Sequence, residues 1–348
     1  MSISEESGDV GGLSQREMAK ELGVSHMTVS RALRGENGVS EKTRERILDI
    51  YRRAGIPLPP SRKAPNPMLL HTLCAIAPAP TPDTDFHTRL LAGFERGSCD
   101  CGSELANLAA GVQGEYWPQM IVRKQADGVV VVWGDEHNPM PHADCPVAAV
   151  FVFHGPPHAD IVDADNFMAG YQLGVHLAAL GHRRVAFHGT KSLISNERLA
   201  GLRTGLETQG GECPPALTFR RVSPFRDAAG FADQLLAETG WRPDSPVKPF
   251  TALVCYNDLL ASHAVMRLQE LGVSVPEDIS VAGFDGVNHA WYDGPKLTTC
   301  ALPLEDIGAE AARMVYWRVE HPNAPRRKLS LETELVEGES VGEVKIEN

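Results

Sequence analysis

Several polar side chains near the amino terminus have the types and spacing that suit contact with nucleic acid. They fall on one side of a short predicted helix, where imidazole, hydroxyl and guanidinium groups could reach base edges and phosphates in a DNA major groove. The members of this outer face are His26, Met27, Ser30, Arg31 and Arg34. The opposite face carries apolar residues at three- and four-residue spacing, which are Val29, Ala32 and Leu33.

Two helices and a turn must position this face. Ser14 and Glu17 form a capping box, so a first helix is predicted to begin there. Its buried side is predicted to consist of Met18, Ala19 and Leu22. Gly23 allows the tight turn that follows, and Ser25 can cap the second helix. The pattern is that of a helix-turn-helix; the less specific alternative is a pair of surface helices in an ordinary globular domain.

A third helix and a proline-rich segment complete this region. Ser40 has the position of an N-cap, apolar residues at helical spacing follow it, and Gly55 ends the helix. The three helices predict a compact headpiece over residues 13–55, preceded by a flexible extension over residues 1–12. Residues 56–68 contain five prolines, which oppose regular helix or sheet and favour an extended, semi-rigid linker.

Charge is distributed unevenly along the chain. The whole sequence has a formal net charge of -12, yet residues 13–63 carry eleven basic and six acidic residues, a net of +5, and the remainder a net of -17. A basic module attached to an acidic remainder concentrates attraction to phosphate in the headpiece. The net charge of the whole chain is therefore compatible with a nucleic-acid partner.

Composition limits the remaining function classes. The 348 residues are 43% hydrophobic and 22% charged, enough apolar material for two or three packed domains. No apolar run could span a bilayer and the first residues are acidic, so we expect a cytoplasmic protein without membrane contact. The seven cysteines are scattered, and metal-site spacings, phosphate loops and nucleophile elbows are missing. We therefore expect reduced thiols, no metal, no cofactor and no enzyme activity.

Beyond the linker, short apolar runs alternate with amphipathic stretches, which predicts an α/β fold of parallel strands joined by helices. The runs lack polar alternation, as expected of strands covered on both faces. Predicted strands are 72–77, 105–109, 128–132, 147–152, 184–188, 217–222, 252–255 and 279–282, with 329–336 as an edge strand. Predicted helices are 86–98, 166–180, 196–209, 228–238, 259–271 and 304–320.

Three stretches, taken in order, match one known family. The first is GVSHMTVSRAL (23–33) followed by VSEKTR (39–44). The second is LGHRRVAF (180–187) with ERLAG (197–201). The third is YNDLLA (256–261), VPEDISVAGFD (275–285) and LTT (297–299). On these residues the chain resembles the LacI/GalR family of bacterial transcriptional regulators, and the shared order and spacing make the match specific.

That resemblance implies an architecture for the whole chain. An N-terminal three-helix helix-turn-helix headpiece would precede a core like the periplasmic sugar-binding proteins, with two doubly wound α/β subdomains, crossing strands and a ligand cleft between them. The implied effector-binding and dimerisation core covers residues 69–348. Its N-subdomain is expected at about 69–163 and 301–325, and its C-subdomain at about 164–300 and 326–346.

The resemblance also assigns roles in the headpiece. The start of the second helix faces base edges in similar headpieces, which places His26 and Met27 where sequence is discriminated and lets Arg31 donate two hydrogen bonds to guanine. Hydroxyl groups and helix amino termini are expected on phosphates. The expected DNA-binding residues are Ser14, Ser25, His26, Met27, Thr28, Ser30, Arg31, Arg34 and Ser40. Relatives commonly have a hinge helix after the headpiece; here the proline-rich segment stands in its place, and whether a hinge helix forms is left open.

In the core, the resemblance implies a cleft for a sugar, sugar acid or related effector, in which aromatic rings meet apolar ring faces and polar groups supply directional hydrogen bonds. The expected effector-binding residues are Phe86, Phe151, Arg198, Phe225, Asn257, Asp285 and Leu302. Phe151 and Leu302 replace more polar residues common in the family, which permits a ligand with a larger apolar part. Arg198 and Asp285 could instead form a structural salt bridge across the cleft. Three residues that open a helix are assigned to capping: Asp163, Asp165 and Asn166.

These implications together describe a homodimeric, cytoplasmic regulator, expected to be a repressor, that binds a pseudo-palindromic operator in double-stranded DNA and responds to a small effector. The operator, the effector, the sign of regulation and the pairing of dimers into tetramers stay open. The rival is a cytoplasmic sugar-binding protein or sugar-processing enzyme that shares only the core and does not bind DNA specifically.

Overall fold

The computed structural model of the chain separates into two compact units, Met1–Leu69 and Leu70–Asn348, which we call the headpiece unit and the core. It describes residues 19, 22–34, 39–53, 71–76, 84–108, 121, 126–132, 145, 147–220, 230–245 and 247–344. The backbone alone is described for residues 30, 31, 33, 34, 41, 51–53, 71–76, 84 and 104–108. The predicted extension at 1–12 and linker at 56–68 lie outside the described residues.

The headpiece unit contains helices α1 (His26–Arg34) and α2 (Glu41–Arg53). Val29 and Ala32 of α1 are buried against Ile47 of α2, and Ala19 from the preceding segment joins the same cluster. The inward face predicted for α1 is confirmed at these two positions, while the side chain of Leu33 lies outside the described residues. Of the predicted first helix, only Ala19 and Leu22 are described.

The described part of the core alternates strands and helices along the chain, as predicted. Its strands are β1 (His71–Ile76), β2 (Glu104–Leu108), β3 (Gly128–Val132), β4 (Ala148–Val152), β5 (Asp160–Ala164), β6 (Val185–Gly189), β7 (Thr218–Arg220), β8 (Ala252–Cys255), β9 (Ser280–Asp285), β10 (Thr298–Ala301), β11 (Lys328–Leu331) and β12 (Glu334–Val336). Its helices are α3 (Thr84–Asp100), α4 (Asn166–Ala179), α5 (Leu193–Glu207), α6 (Gly230–Thr239), α7 (Asp258–Glu270) and α8 (Leu304–Glu320). Within the described ranges, none of the helices has both the length and the apolar character needed to cross a membrane.

The strands form two sheets with the same spatial order. The first sheet runs β11-β5-β4-β3-β1-β2 and the second β12-β10-β9-β8-β6-β7. The described pairings are parallel, except that β12 is antiparallel to β10. Strands β3 and β6 are buried along their whole length because helices cover the sheets. The structure therefore contains two doubly wound lobes, and the predicted fold class is confirmed.

Three connections cross between the lobes, and they define the junction at which a ligand site would form. The chain passes from the first sheet to the second after β5, returns after β10 into α8, and crosses again between β11 and β12. Helices α3 and α8 pack together on the first sheet, and α4 packs along α5 beside the second. Movement of one lobe against the other must bend these three segments together.

Three details of the predicted secondary structure were wrong or incomplete. Strands β5 and β10 were not predicted, because β5 contains two aspartates and β10 begins with two threonines. The segment 329–336 is not one edge strand, since β11 pairs with β5 in the first sheet and β12 with β10 in the second. The boundary expected at residue 326 is therefore corrected to a position after Leu331, because β11 belongs to the first lobe. The other domain limits stay predictions.

Close packing of α4 on α5 depends on glycine. A Cβ on Gly170 would collide with the carbonyl oxygen of Arg198, and a Cβ on Gly201 with that of Phe167. The two backbones can approach closely only because these side chains are missing. This approach carries Arg198 of α5 to the first residue of α4, Asn166.

Candidate functional site

The turn before α1 is built as predicted. Gly23 has φ +65°, a left-handed conformation that glycine adopts without steric cost, and the amide of Val24 donates to the carbonyl of Ala19 at 3.0 Å. Ser25 then caps α1, because its Oγ accepts a hydrogen bond from the Thr28 amide at 3.0 Å. Its hydroxyl also lies 2.8 Å from that of Thr28.

The second predicted cap is also present. The Oγ of Ser40 accepts from the Thr43 amide at 3.2 Å, and the two hydroxyls lie 2.7 Å apart. Ser25 and Ser40 therefore fix the starts of α1 and α2. The two helix amino termini are ready-made anion sites, since amides there have no partner within the helix.

The outer face of α1 is open to solvent where its side chains are described. His26 is exposed, Met27 is 60% exposed and Thr28 is half-buried. An exposed methionine next to an exposed histidine at a helix amino terminus adds nothing to the core of the headpiece unit. The remaining predicted contacts, which are Ser14 and the side chains of Ser30, Arg31 and Arg34, lie outside the described residues.

In the core, Arg198 is the centre of a buried polar network at the lobe junction. Its guanidinium donates from Nη2 to Oδ1 of Asp285 at 3.1 Å and from Nη1 to the carbonyl of Tyr256 at 2.5 Å. Its Nε donates to Oδ1 of Asn166 at 2.9 Å. The Phe284 ring lies 4.7 Å from the guanidinium carbon. Arg198 is 3% exposed, so its charge is held by these contacts rather than by water.

Asp285 occupies a strained position at the end of β9. Its φ is 108°, a conformation rarely adopted by residues with a side chain, and such strain is often found at functional sites. The neighbouring Asp258 accepts from the Val287 amide at 2.8 Å. Burial, and then the charge of Asp285, raise the pKa of Asp258 well above its usual value. Both effects favour the neutral form of the Asp258 carboxyl.

The network extends into the first crossing segment, which the sequence did not indicate. Asp163 accepts hydrogen bonds from the Ala164 amide at 2.7 Å and from Nδ2 of Asn166 at 3.1 Å. Burial raises the pKa of Asp163 to about 7. Asp165 alone has the predicted capping role, since its Oδ1 accepts from the Met168 amide at 2.9 Å. Asp163 and Asn166 instead link the crossing after β5 to Arg198.

An apolar cluster lies beside the polar network and joins both lobes. Phe86 of α3 packs on Phe153 with ring centroids 5.6 Å apart, and Phe153 has a left-handed backbone, φ 69°. The cluster combines these two with Leu302, Ile194 and Val287, the last two from the second lobe. Phe86 and Leu302 therefore pack together against apolar partners, and their contact with an effector stays a prediction.

The other predicted effector residues are Phe151, Asn257 and Phe225. Phe151 packs in a separate cluster with Ile121 and Val131, beneath the sheet. The Oδ1 of Asn257 caps α7 by accepting from the Leu260 amide at 3.1 Å, which leaves its amide nitrogen for another role. Phe225 lies outside the described residues.

Arg89 connects the lobes directly. It forms a two-point pair with Glu305 of α8, with Nε and Nη2 at 2.7 and 3.0 Å from the carboxylate oxygens. Its Nη1 donates to the carbonyl of Gly286 at 3.0 Å, and Gly286 follows Asp285 in the second lobe. Sequence reasoning did not find this contact, because nothing in the spacing of Arg89, Glu305 and Gly286 indicates it.

Comparison with known proteins gives two matching families. Residues 16–55 match the family described as bacterial regulatory proteins, lacI family. Residues 175–341 match the periplasmic binding protein-like domain. The first match covers the capped turn, α1 and α2, and the second runs from within α4 to beyond β12, so it includes two of the three crossing segments.

Curated relatives match along almost the whole chain. An HTH-type transcriptional repressor PurR from Mannheimia succiniciproducens is 25% identical over 341 residues, 94% of this chain and 98% of the relative. An HTH-type transcriptional regulator DegA from Bacillus subtilis is 26% identical and covers 92% of this chain and 95% of its own length. A ribose operon repressor from Haemophilus influenzae is 25% identical, over 95% of this chain and 99% of its own length.

Solved structures give the same fold. A complex of the transcriptional regulator CelR with cellobiose has a TM-score of 0.63 and 23% identity, and covers 94% of this chain and all of its own. A LacI family regulator from Enterococcus faecium with bound ribose also has a TM-score of 0.63, at 22% identity over 79% of this chain and all of its own. At these identities the structures establish the two-lobed fold and leave the ligand open.

Proposed function

We propose that this chain, which belongs to the lacI family of bacterial regulatory proteins, is a sequence-specific DNA-binding transcriptional regulator whose operator affinity changes when a small effector binds in the core. The observation that carries the proposal is the pairing of two features in one chain. A glycine turn with a serine-capped, exposed helix stands in the headpiece unit, and a buried Arg198–Asp285 network stands at the junction of two lobes.

The reading surface is proposed on the outer face of α1. His26 and Met27 would contact base edges, Arg31 would donate to a guanine, and Ser14, Ser25, Thr28, Ser30, Arg34 and Ser40 would lie near phosphates. Basic residues predominate in residues 13–63, and this local charge supports the assignment. An exposed Met27 favours apolar contact with a thymine methyl group.

The effector is proposed to bind where the polar network meets the apolar cluster. Asp285, Asn257 and Arg198 would supply hydrogen bonds, and Phe86 and Leu302 would cover an apolar face of the ligand. Named relatives include a ribose operon repressor and complexes with cellobiose and ribose, which supports a polyol. The aromatic and aliphatic cover supports a ligand that also has a substantial apolar part.

Coupling follows from the crossing segments. An effector that binds one arrangement of the lobes more tightly than another shifts the population toward that arrangement, by no more than its difference in binding free energy. Asp163 and Asn166 connect the first crossing segment, after β5, to Arg198. A ligand at Arg198 would therefore act directly on that crossing segment. Release from the operator on binding is one outcome of this coupling and tighter binding is the other; repression relieved by the effector is the proposed sign.

The remaining properties follow from this role. One headpiece offers too few contacts for useful specificity, so a homodimer on two half-sites is proposed, with tetramers left open. A regulator works beside the chromosome, and a cytoplasmic location is proposed for that reason. Its relatives are regulators, which supports the absence of enzyme activity.

Two experiments test the proposal. Rounds of selection from random duplex DNA with the full chain should enrich one pseudo-palindromic site, and Arg31→Ala should weaken binding to that site more than binding to unrelated DNA. Thermal-shift screening with sugars, sugar acids and nucleosides should find a stabilising ligand, since a ligand that binds only the native state raises the midpoint. Failure to enrich any site, together with a stabilising sugar, would favour the rival sugar-binding protein.

A further inference from the structure

Asp160 at the start of β5 gathers a cationic group at one end of the first lobe. The Asp160 carboxylate is fully buried and accepts hydrogen bonds from Nε and Nη2 of Arg318 at 2.6 and 2.9 Å. It also accepts from Nη1 of Arg326 at 3.2 Å and from the backbone amide of Arg327 at 2.9 Å. Two guanidinium groups and one backbone amide therefore converge on a single carboxylate, so the positive charges of Arg318 and Arg326 exceed the negative charge of Asp160.

The two outer arginines are held in fixed positions. The guanidinium carbon of Arg327 lies 3.3 Å from the centroid of the Trp317 ring, on which His321 also stacks at 4.9 Å. Arg318 donates further to the carbonyl oxygens of His321, Ala324 and Pro325, which fixes the turn that carries Arg326 and Arg327. Arg326 and Arg327 are exposed, so their fixed guanidinium groups face solvent.

Two more charged residues, Glu320 and Lys328, lie near Arg326 and Arg327 in the sequence. Lys328 interacts electrostatically with Asp163, where it partly offsets the rise in the pKa of that carboxyl. We therefore do not count Lys328 in the group around Asp160. Glu320, at the end of α8, interacts with Tyr316. Among the described residues, Asp160 is the carboxylate paired with Arg326. We call Arg326, Arg327 and His321 the basic edge.

The basic edge lies at the end of the core where the chain arrives from the headpiece unit. Strands β1, β5 and β11 are parallel members of one sheet, so their amino ends share one edge. The predicted linker at 56–68 precedes β1 in the sequence and, at roughly 3.1 Å per residue in extended form, reaches on the order of 40 Å. The covalent connection from the headpiece unit therefore enters the core at the sheet edge that also carries Arg326 and Arg327.

We propose that Arg326 and Arg327 bind backbone phosphates of the DNA that flanks the operator half-site; this inference rests on the proposed function. Residues 70–348 carry 22 basic and 36 acidic residues, a net charge of -14, and a core with this charge is repelled by a nearby polyanion. Exposed guanidinium groups held in place suit two-point binding of phosphate, at little further cost in side-chain entropy. The contact adds affinity without reading sequence.

The test compares the full chain with Arg326→Gln/Arg327→Gln on the selected operator. On a duplex with long flanks the variant should lose affinity severalfold, and the slope of log affinity against log salt should fall by about 0.9 for each phosphate that the variant no longer binds. A matched control, Arg220→Gln/Arg242→Gln, changes the same net charge at exposed positions of the second lobe and should leave both quantities unchanged. Preference for operator over unrelated DNA should be the same in all three proteins.

Shortening the flanks gives a second measurement, in which the wild-type chain is compared with itself on two duplexes. The wild-type chain should lose affinity and salt slope when the duplex is trimmed to the operator, and the double variant should not respond to trimming. A wild-type response that is independent of flank length overturns the inference, and so does a loss in the variant that persists on trimmed DNA, because Arg326 and Arg327 would then not act through flanking phosphates. If the wild type binds no operator of any length, the proposed function itself fails.

Discussion

Nη2 of Arg198 lies 3.1 Å from Oδ1 of Asp285, and both residues belong to the second lobe. The pair therefore does not close the cleft from opposite sides, as the alternative of a salt bridge across the cleft required. It anchors the end of β9 to α5 and, through Asn166, to the first crossing segment. A ligand that contacts Arg198 or Asp285 therefore contacts residues that are hydrogen-bonded to the first crossing segment between the lobes.

Replacement of Arg198 by alanine should destabilise the protein strongly. The change leaves Asp285 buried without its cation and removes the donors to Asn166 and Tyr256, for which a loss of about 3–5 kcal/mol in the free energy of unfolding is expected. Urea denaturation of the full chain measures it. Arg184→Ala is the matched control, since Arg184 and Glu212 form a half-exposed pair and about 1 kcal/mol or less should be lost. Similar losses in both variants would contradict the network.

Arg89→Gln should alter the coupling between effector and operator. Arg89 joins α8 to the carbonyl of Gly286, so the change removes a hydrogen bond between the lobes while Glu305 stays half-exposed. A change in coupling of about 1 kcal/mol is expected, roughly a fivefold change in how far saturating effector shifts operator affinity. Titration of operator DNA with and without effector measures this ratio. Arg96→Gln, in an exposed pair with Asp306 within the first lobe, should keep the wild-type ratio.

Asp163 should make stability fall as pH rises toward neutrality. Burial raises its folded pKa to about 7, so between about pH 4 and 7 the native state holds a proton that the unfolded chain has released. The contribution of Asp163 to the free energy of unfolding is fully present below about pH 4 and is lost as the pH rises toward 7. Asp163→Asn should remove this dependence, visible in unfolding free energies at pH 5 and pH 8. An unchanged difference between the two pH values would show that Asp163 is ionised throughout.

His182 should have the opposite dependence. Its ring is buried between the Thr251 hydroxyl at 2.8 Å and the Gly342 carbonyl at 3.0 Å, and burial lowers its pKa to about 4. Between about pH 6.5 and 4 the unfolded chain binds a proton that the native ring refuses, so stability is lost as pH falls. His182→Gln, which can still donate to Gly342, should flatten the acid limb of the stability curve. If the variant instead lost stability more steeply at acid pH, the claim that the native His182 ring is neutral would be wrong.

The sequence predicted most of the fold because its signals are local. Apolar runs such as β3 and capped helices such as α4 contain their own evidence, and these were found. Strand β5 was missed because Asp160 and Asp163 break its apolar pattern, and the buried Asp160 carboxylate is paired with an arginine far away in the chain. Partners separated by 158 residues, as Arg318 and Asp160 are, leave no mark in local spacing.

The candidate site was predicted unevenly for the same reason. Arg198 and Asp285 were found through the resemblance, and Ser25 through its capping position. The packing of Phe151 with Ile121 and Val131 could not be predicted, because resemblance gives a position in the strand and not the direction of a side chain. The effector-binding and DNA-binding assignments stay predictions until ligand and operator are measured.

Two headpiece substitutions should separate base reading from phosphate binding. Met27 is 60% exposed and outside the core of the headpiece unit, so Met27→Ala should leave stability within about 0.5 kcal/mol while relaxing preference at one base pair by about 1 kcal/mol. Lys42→Ala, at an exposed position in α2, should weaken operator and unrelated DNA alike and lower the salt slope by about 0.9 if Lys42 binds phosphate. Affinities for the operator and its single-base variants, measured at several salt concentrations, distinguish the two. Should Met27→Ala reduce binding to all sequences equally, α1 would not lie with its amino-terminal residues on base edges, and another part of the headpiece would have to read the operator.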